Sequence, residues 1–216
     1  MACTHRFVLQ AINPMTGCVT VDAVFAVEEL RELCAQLEIE PEEFLPDADY
    51  ELDESDVRRI TEYFKVAFDP GSFGARIRSW APIDGLPYKI HTDRELDLML
   101  TGAKPLAAFV DEYPSNPEYE VIPENQFEPY VTSGRFLKHE HIYSDIDATG
   151  QEREFRRVLY AQPDQEWRIH AYLLLWKTAA KSGWNDGFER MEGSLLGYED
   201  WQNDAYMQMR QRPEGV

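Results

Sequence analysis

The sequence predicts an α+β fold in which antiparallel strand pairs and a β-hairpin pack against a C-terminal group of helices. Three features point there. Strand-like stretches occur in adjacent pairs, helical periodicity collects towards the C-terminus, and no repeated strand–helix–strand order marks a parallel sheet.

Residues 5–12 (HRFVLQAI) read as a strand, Asn13–Gly17 as a turn, and 18–25 (CVTVDAVF) as a second strand. In that second strand Val19, Val21 and Ala23 alternate with Thr20, Asp22 and Val24. Val27, Leu30, Leu33, Cys34 and Leu37 fall at helical spacing and predict a helix over 27–38. The stretch 39–53, with Pro41, Pro46 and many acids, reads as a loop. A helix over 56–68 follows, with Val57, Ile60, Thr61, Phe64, Ala67 and Phe68 in one stripe. Ser55 caps it and Asp69-Pro70-Gly71 ends it. Residues 75–81 and 87–92 read as strands around Pro82–Leu86. Thr92 to Glu95 has the spacing of a capping box, which predicts a short helix over 93–101 stopped by Gly102.

Lys104–Asp111 reads as a buried strand. Tyr113–Tyr130 then carries Pro114, Pro117, Pro123 and Pro129 and no base, the composition of a linker or long loop. The expected organisation is an N-terminal α+β region over 1–112, this segment over 113–130, and a hairpin with C-terminal helices over 131–216. A single domain over 1–216 is the alternative. Residues 135–145 and 152–160 flank Asp147–Gly150 and predict a β-hairpin. With a four-residue loop, His141 faces Arg156, His139 faces Val158 and Glu140 faces Arg157. A helix over 162–182 contains Ala171–Trp176 (AYLLLW), apolar all round and therefore expected at the centre of the fold. Asn185 or Asp186 caps another helix, and a last one runs over 199–210.

The chain has 216 residues, with 21 Lys and Arg against 40 Asp and Glu, a formal charge of −19. That charge argues against direct nucleic-acid binding and against docking on anionic lipid. No apolar run reaches the roughly 20 residues of a membrane helix, and the start shows no secretory pattern. Three cysteines (Cys3, Cys18, Cys34) without a CxxC pair suit a reducing cytoplasm rather than a disulfide framework.

The charge is uneven. Glu28–Asp56 holds thirteen acids and one base, a net −12, and Asp111–Glu128 holds six acids and no base. Thr132–Lys181 is near balance at +1, with eight bases. The acidic stretches either keep the protein dissolved or present carboxylates to a basic partner protein. The near-neutral stretch contains the candidate chemistry. His139 and His141 share one strand face and are candidate acid–base groups or a pair of metal ligands. A facing arginine favours an anion over a divalent metal, so no metal site is assigned and the cofactor is left open. Arg135, Arg153, Arg156, Arg157 and Arg168 are candidate ligands for a phosphate or carboxylate, or partners of the protein's own acids, as Arg157 with Glu140 or Arg153 with Asp145. Glu192, beside the apolar stripe of Phe188 and Leu195, is a third candidate acid–base residue.

Two functions follow as expectations. One is a protein-interaction or regulatory module whose acidic surface docks on a basic partner. The other is a small enzyme or ligand-binding protein using the His/Arg hairpin for a small anionic molecule. The aromatic residues of the C-terminal helices also allow a homodimer face.

Overall fold

The computed structural model describes residues 4–46, 48–116, 121–146 and 150–211. They form seven α-helices and two antiparallel sheets, one of four strands and one of three, an α+β fold. The chain divides into two compact units, Met1–Arg94 and Glu95–Val216. No helix among the described residues is long and apolar enough to cross a membrane.

In the first unit, strand β1 (His5–Ile12) pairs with β2 (Val19–Val27) on one side and β4 (Gly74–Ser79) on the other, and β3 (Tyr50–Leu52) completes the order β2-β1-β4-β3. Alternation sends Phe7 and Leu9 of β1, Phe25 and Val27 of β2 and Ile77 of β4 to one face. Helix α1 (Leu30–Leu37) adds Leu33 and Cys34 to this core and helix α2 (Glu54–Phe64) adds Ile60. Three expectations are corrected here. The cap of α2 is Asp53, not Ser55, because its carboxylate accepts from both the Ser55 and Asp56 amides and Asp56 returns a bond to the Asp53 amide. The helix stops at Phe64, where Lys65 turns left-handed. Residues 87–92 are not a strand. Both edges of β1 are already taken, Pro87 has no N–H to give, and the segment lies instead along the polar face of the sheet. There Arg78 grips Asp84 with two hydrogen bonds of 2.6 and 2.9 Å, and Asp22 receives both Lys89 and Arg94.

The second unit opens with α3 (Glu95–Leu100), ended by Gly102 at φ +77. Its sheet has the order β5-β7-β6, with β5 (Leu106–Tyr113), β6 (Leu137–Ile146) and β7 (Glu152–Ala161). The boundary between the two units lies at Arg94–Glu95, and among the described residues β5, on one side of the Pro-rich segment, pairs with β7 on the other. Within that Pro-rich segment a helix forms, α4 (Glu124–Thr132), where the composition suggested loop. Packing decides it: Phe127 is 1% exposed and its ring stacks on Tyr160 at 4.1 Å. On the opposite sheet face, Leu106, Leu159 and Ala161 meet Ile169 and Tyr172 of α5 (Glu166–Ser182).

Helix α5 is not buried all round. It covers the sheet with Ile169 and Tyr172, while Trp167 and Leu174 on another side stay 55% and 64% exposed. Asn185 caps α6 (Asp186–Leu195), its side chain accepting from the Gly187 and Phe188 amides, and α7 (Asp200–Arg210) follows. The end of α6 meets the start of β5 closely. Gly197, at φ +96, leaves no room for a Cβ, which would stand 2.4 Å from Cδ of Pro105. Beside it, the Lys104 side chain is buried, with Nζ 3.4 Å from the Leu196 carbonyl and 5.7 Å from the centre of the Tyr198 ring.

Candidate functional site

The acidic run of the first unit is built on a fixed loop. Phe44 is buried and its ring stacks on Tyr50 at 5.1 Å. The Tyr50 hydroxyl accepts from the Leu45 amide at 2.6 Å and donates to the Leu45 carbonyl at 3.3 Å. Ser79 of β4 donates to the Pro46 carbonyl, and the Glu43 amide donates back to Glu40. The loop therefore presents Glu40, Glu42, Glu43 and Leu45 to solvent from an anchored backbone. Several acids of the run are committed elsewhere. Asp53 caps α2, and hydrogen bonds from the Ser55 hydroxyl and the Asp56 amide hold its carboxyl below the usual range. Asp56 and Glu38 pair with Arg59, Asp49 with Arg76, and Glu29 with Arg31. Glu40, Glu42, Glu43, Glu51 and Glu54 remain exposed without an ion pair among the described residues. Asp47 lies outside those residues.

In the second unit the hairpin register differs from the expected one by one residue. Leu137 pairs with Ala161 and Ile146 with Glu152, so the connection spans five residues, 147–151, instead of four. Asp147, Ala148 and Thr149 lie outside the described residues. One step of slip exchanges every partner. His141 now faces Arg157, His139 faces Leu159, Glu140 faces Val158, and Arg156 faces Ile142. Arg156 therefore stands on the sheet face opposite His139 and His141, and Arg157 opposite Glu140, so neither the expected His–Arg156 grouping nor an Arg157–Glu140 pair forms.

Most of the expected cations meet the protein's own acceptors. Arg156 and Lys138 share Glu124 of α4, with Glu140 2.9 Å from Lys138 and 3.8 Å from Arg156. Burial raises the Glu124 pKa, but the bonds from Lys138 and Arg156 outweigh it and leave its carboxyl below the usual range. Arg153 meets Glu112 at 3.0 Å. Arg135 donates to the Leu100 carbonyl, and Arg168 to the carbonyls of Ser194 and Leu195. Thus Glu112 of β5 and Glu124 of α4, both from the acidic stretch, neutralise Lys138, Arg153 and Arg156 of the hairpin.

Arg157 is different. It is 3% exposed, and its guanidinium lies over the rings of Trp176 (4.2 Å), Tyr143 (4.7 Å) and Tyr172 (5.6 Å). Its one side-chain hydrogen bond goes to the Tyr143 hydroxyl at 3.2 Å, its Nε has no partner, and no carboxylate stands within ion-pair distance among the described residues. Glu192 joins the same cluster, accepting from the Tyr172 hydroxyl at 2.7 Å and from Nε1 of Trp176 at 3.1 Å. Burial raises its pKa against those two bonds. Its bound proton is therefore lost at higher pH than in the unfolded chain, and stability falls as pH rises through that interval.

Of the sequence-predicted site residues, the fold gathers Arg157, His141 and Glu192 on one side of the sheet. His141 lies exposed with its ring stacked on Tyr143. The sequence reading missed the three rings around Arg157. Their spacing carries a signal: Tyr143 is two residues from His141 on one strand, and Tyr172 and Trp176 are one helical turn apart. Among the described residues no three His, Cys, Asp or Glu side chains gather into a group able to hold a metal ion. Comparison with protein-family models, with curated proteins and with solved structures finds no match to this chain.

Proposed function

We propose that the protein is an interaction module whose first unit docks on a basic partner through the anchored acidic loop. One arrangement supports this: Glu40, Glu42, Glu43 and Leu45 stand exposed along one loop, the glutamates without an ion pair among the described residues, on backbone clamped by Tyr50. Grouped like charges repel one another until an opposite surface arrives, and such complementarity speeds encounter. Leu45, 64% exposed, adds an apolar contact on the same loop. A loop already held in place loses little freedom on binding.

The test is elution of the full chain from an immobilised arginine-rich peptide by rising salt. Glu40, Glu42, Glu43 and Glu51 changed together to glutamine are expected to release the protein at clearly lower salt. A control with Glu152, Glu154, Asp164 and Asp200 changed to their amides removes the same charge from the second unit and is expected to elute near the parent. Equal loss in both sets would mean that net charge alone binds, and would overturn the docking surface.

A second function, binding of a small carboxylate- or phosphate-bearing molecule at the hairpin, is favoured by Arg157, a buried cation with no carboxylate within ion-pair distance among the described residues. In it Arg157 supplies the charge, and His141 and Glu192 carry protons. Inorganic phosphate at millimolar concentration is then expected to raise the melting temperature of the parent, and Arg157→Gln to abolish that rise. A parent whose melting ignores phosphate excludes this function.

A further inference from the structure

We infer that α5 is the contact of a two-fold symmetric homodimer in which the exposed sides of two α5 helices pack antiparallel. Trp167, Ala171, Leu174 and Thr178 follow one another at helical spacing along the side of α5 turned from the sheet, and line a shallow apolar groove of about 660 Å³ between α5 and α6. Met191 of α6, 48% exposed, forms part of the other wall. Two large apolar side chains of α5, a helix that spans about 25 Å, thus meet solvent together with Met191 of α6.

The stripe is complementary to itself when reversed. Set antiparallel about a point between Tyr172 and Leu173, Trp167 of one copy faces Thr178 of the other, and Leu174 faces Ala171. Each large residue meets a small one, the pattern that lets two helices interdigitate. The charges reverse in the same way. Asp164 and Glu166 stand exposed at the start of the helix, and Lys177 and Lys181 stand exposed at its end with no ion pair among the described residues. In that register Asp164 of each copy comes opposite Lys181 of the other, and Glu166 lies within one helical turn of the same lysine. A parallel pair would set like charge beside like at both ends. Closed two-fold symmetry also satisfies both copies at once and leaves no open surface to propagate. One helix pair with a groove wall lies at the small end of specific interfaces, so the dimer dissociates on dilution through the micromolar range.

Sedimentation velocity on the full chain across that range tests the inference. A concentration-dependent monomer–dimer shift is expected. Leu174→Asp, at an exposed position, is expected to give a monomer at every concentration with an unchanged melting temperature. Glu166→Lys and Lys181→Glu are each expected to weaken the dimer severalfold, and the two together in one chain to restore it. A parent that stays monomeric overturns the dimer. A dimer indifferent to Leu174→Asp and to both charge changes overturns its placement on α5. Leu174→Asp leaves the acidic loop intact, so retention by the arginine-rich peptide is expected to persist in it.

Discussion

Replacing Lys104 by methionine is expected to stabilise the second unit at neutral pH by about 1–3 kcal/mol, in the range seen when apolar groups replace buried charges. Burial pushes the Lys104 ammonium down from 10.5 to about 8, against the pull of Glu95. At about 1.4 kcal/mol for each pH unit, holding the charge inside costs roughly 3 kcal/mol. Contacts with the end of α6 offset part of that, since the ammonium lies where the Leu196 carbonyl and the negative end of the helix favour a cation. The sign of the pH dependence follows. The folded chain binds fewer protons than the unfolded chain between about pH 8 and 10.5. Stability of the parent therefore rises across that window, and the charge penalty is fully present below it. Urea unfolding at successive pH values checks this: the advantage of Lys104→Met shrinks as the pH climbs from 8 to 10. An advantage constant with pH would assign the gain to packing instead of charge.

A few ångströms away, Gly197→Ala is expected to have the opposite and larger effect, destabilising the same unit by about 2–5 kcal/mol. Two costs combine. A side chain at φ +96 is strained by roughly 1–2 kcal/mol. The new methyl also meets the Pro105 ring at 2.4 Å, and a proline ring at the entrance of a strand has little freedom to retreat, so overpacking adds about 1–3 kcal/mol. Gly102→Ala separates the two, because Gly102 has a similar positive φ and open space around it. Calorimetric melting is expected to place Gly102→Ala between the parent and Gly197→Ala. Coincident melting of the two variants would remove the Pro105 contact from the account.

The fold class was legible because alternation and helical spacing are local properties. Phe7, Leu9, Phe25 and Ile77 announce buried strand faces, and Asn185 its helix start, without knowledge of what packs on them. What escaped the sequence depends on partners far along the chain. Helix α4 owes its existence to Phe127 lying on Tyr160, and residues 87–92 remain irregular because β1 had already filled both its edges. The site suffered most, since a loop one residue longer than expected reassigns every cross-strand pair. Arg156 and Arg157 exchanged roles on that single step: one was claimed by Glu124, and the other entered an aromatic cage. Composition also overstated the cationic patch. Glu112 and Glu124 come from the acidic stretch before the hairpin, and nothing local says that they will lie against its arginines.

Every strand of the first sheet lies before Arg94, and every strand of the second lies after it. This gives the ribosome a natural order of events. The Trp80 amide bonds to the Arg6 carbonyl of β1 and the Asp93 carbonyl accepts from the Val19 amide of β2, so by the time Asp93 has emerged the strands and backbone bonds described for that sheet are all present. Domains emerging in sequence tend to fold as they appear. The N-terminal core can therefore close while Trp167 and the exposed side of α5 have yet to be made. Self-association then belongs to the completed polypeptide and not to the nascent one.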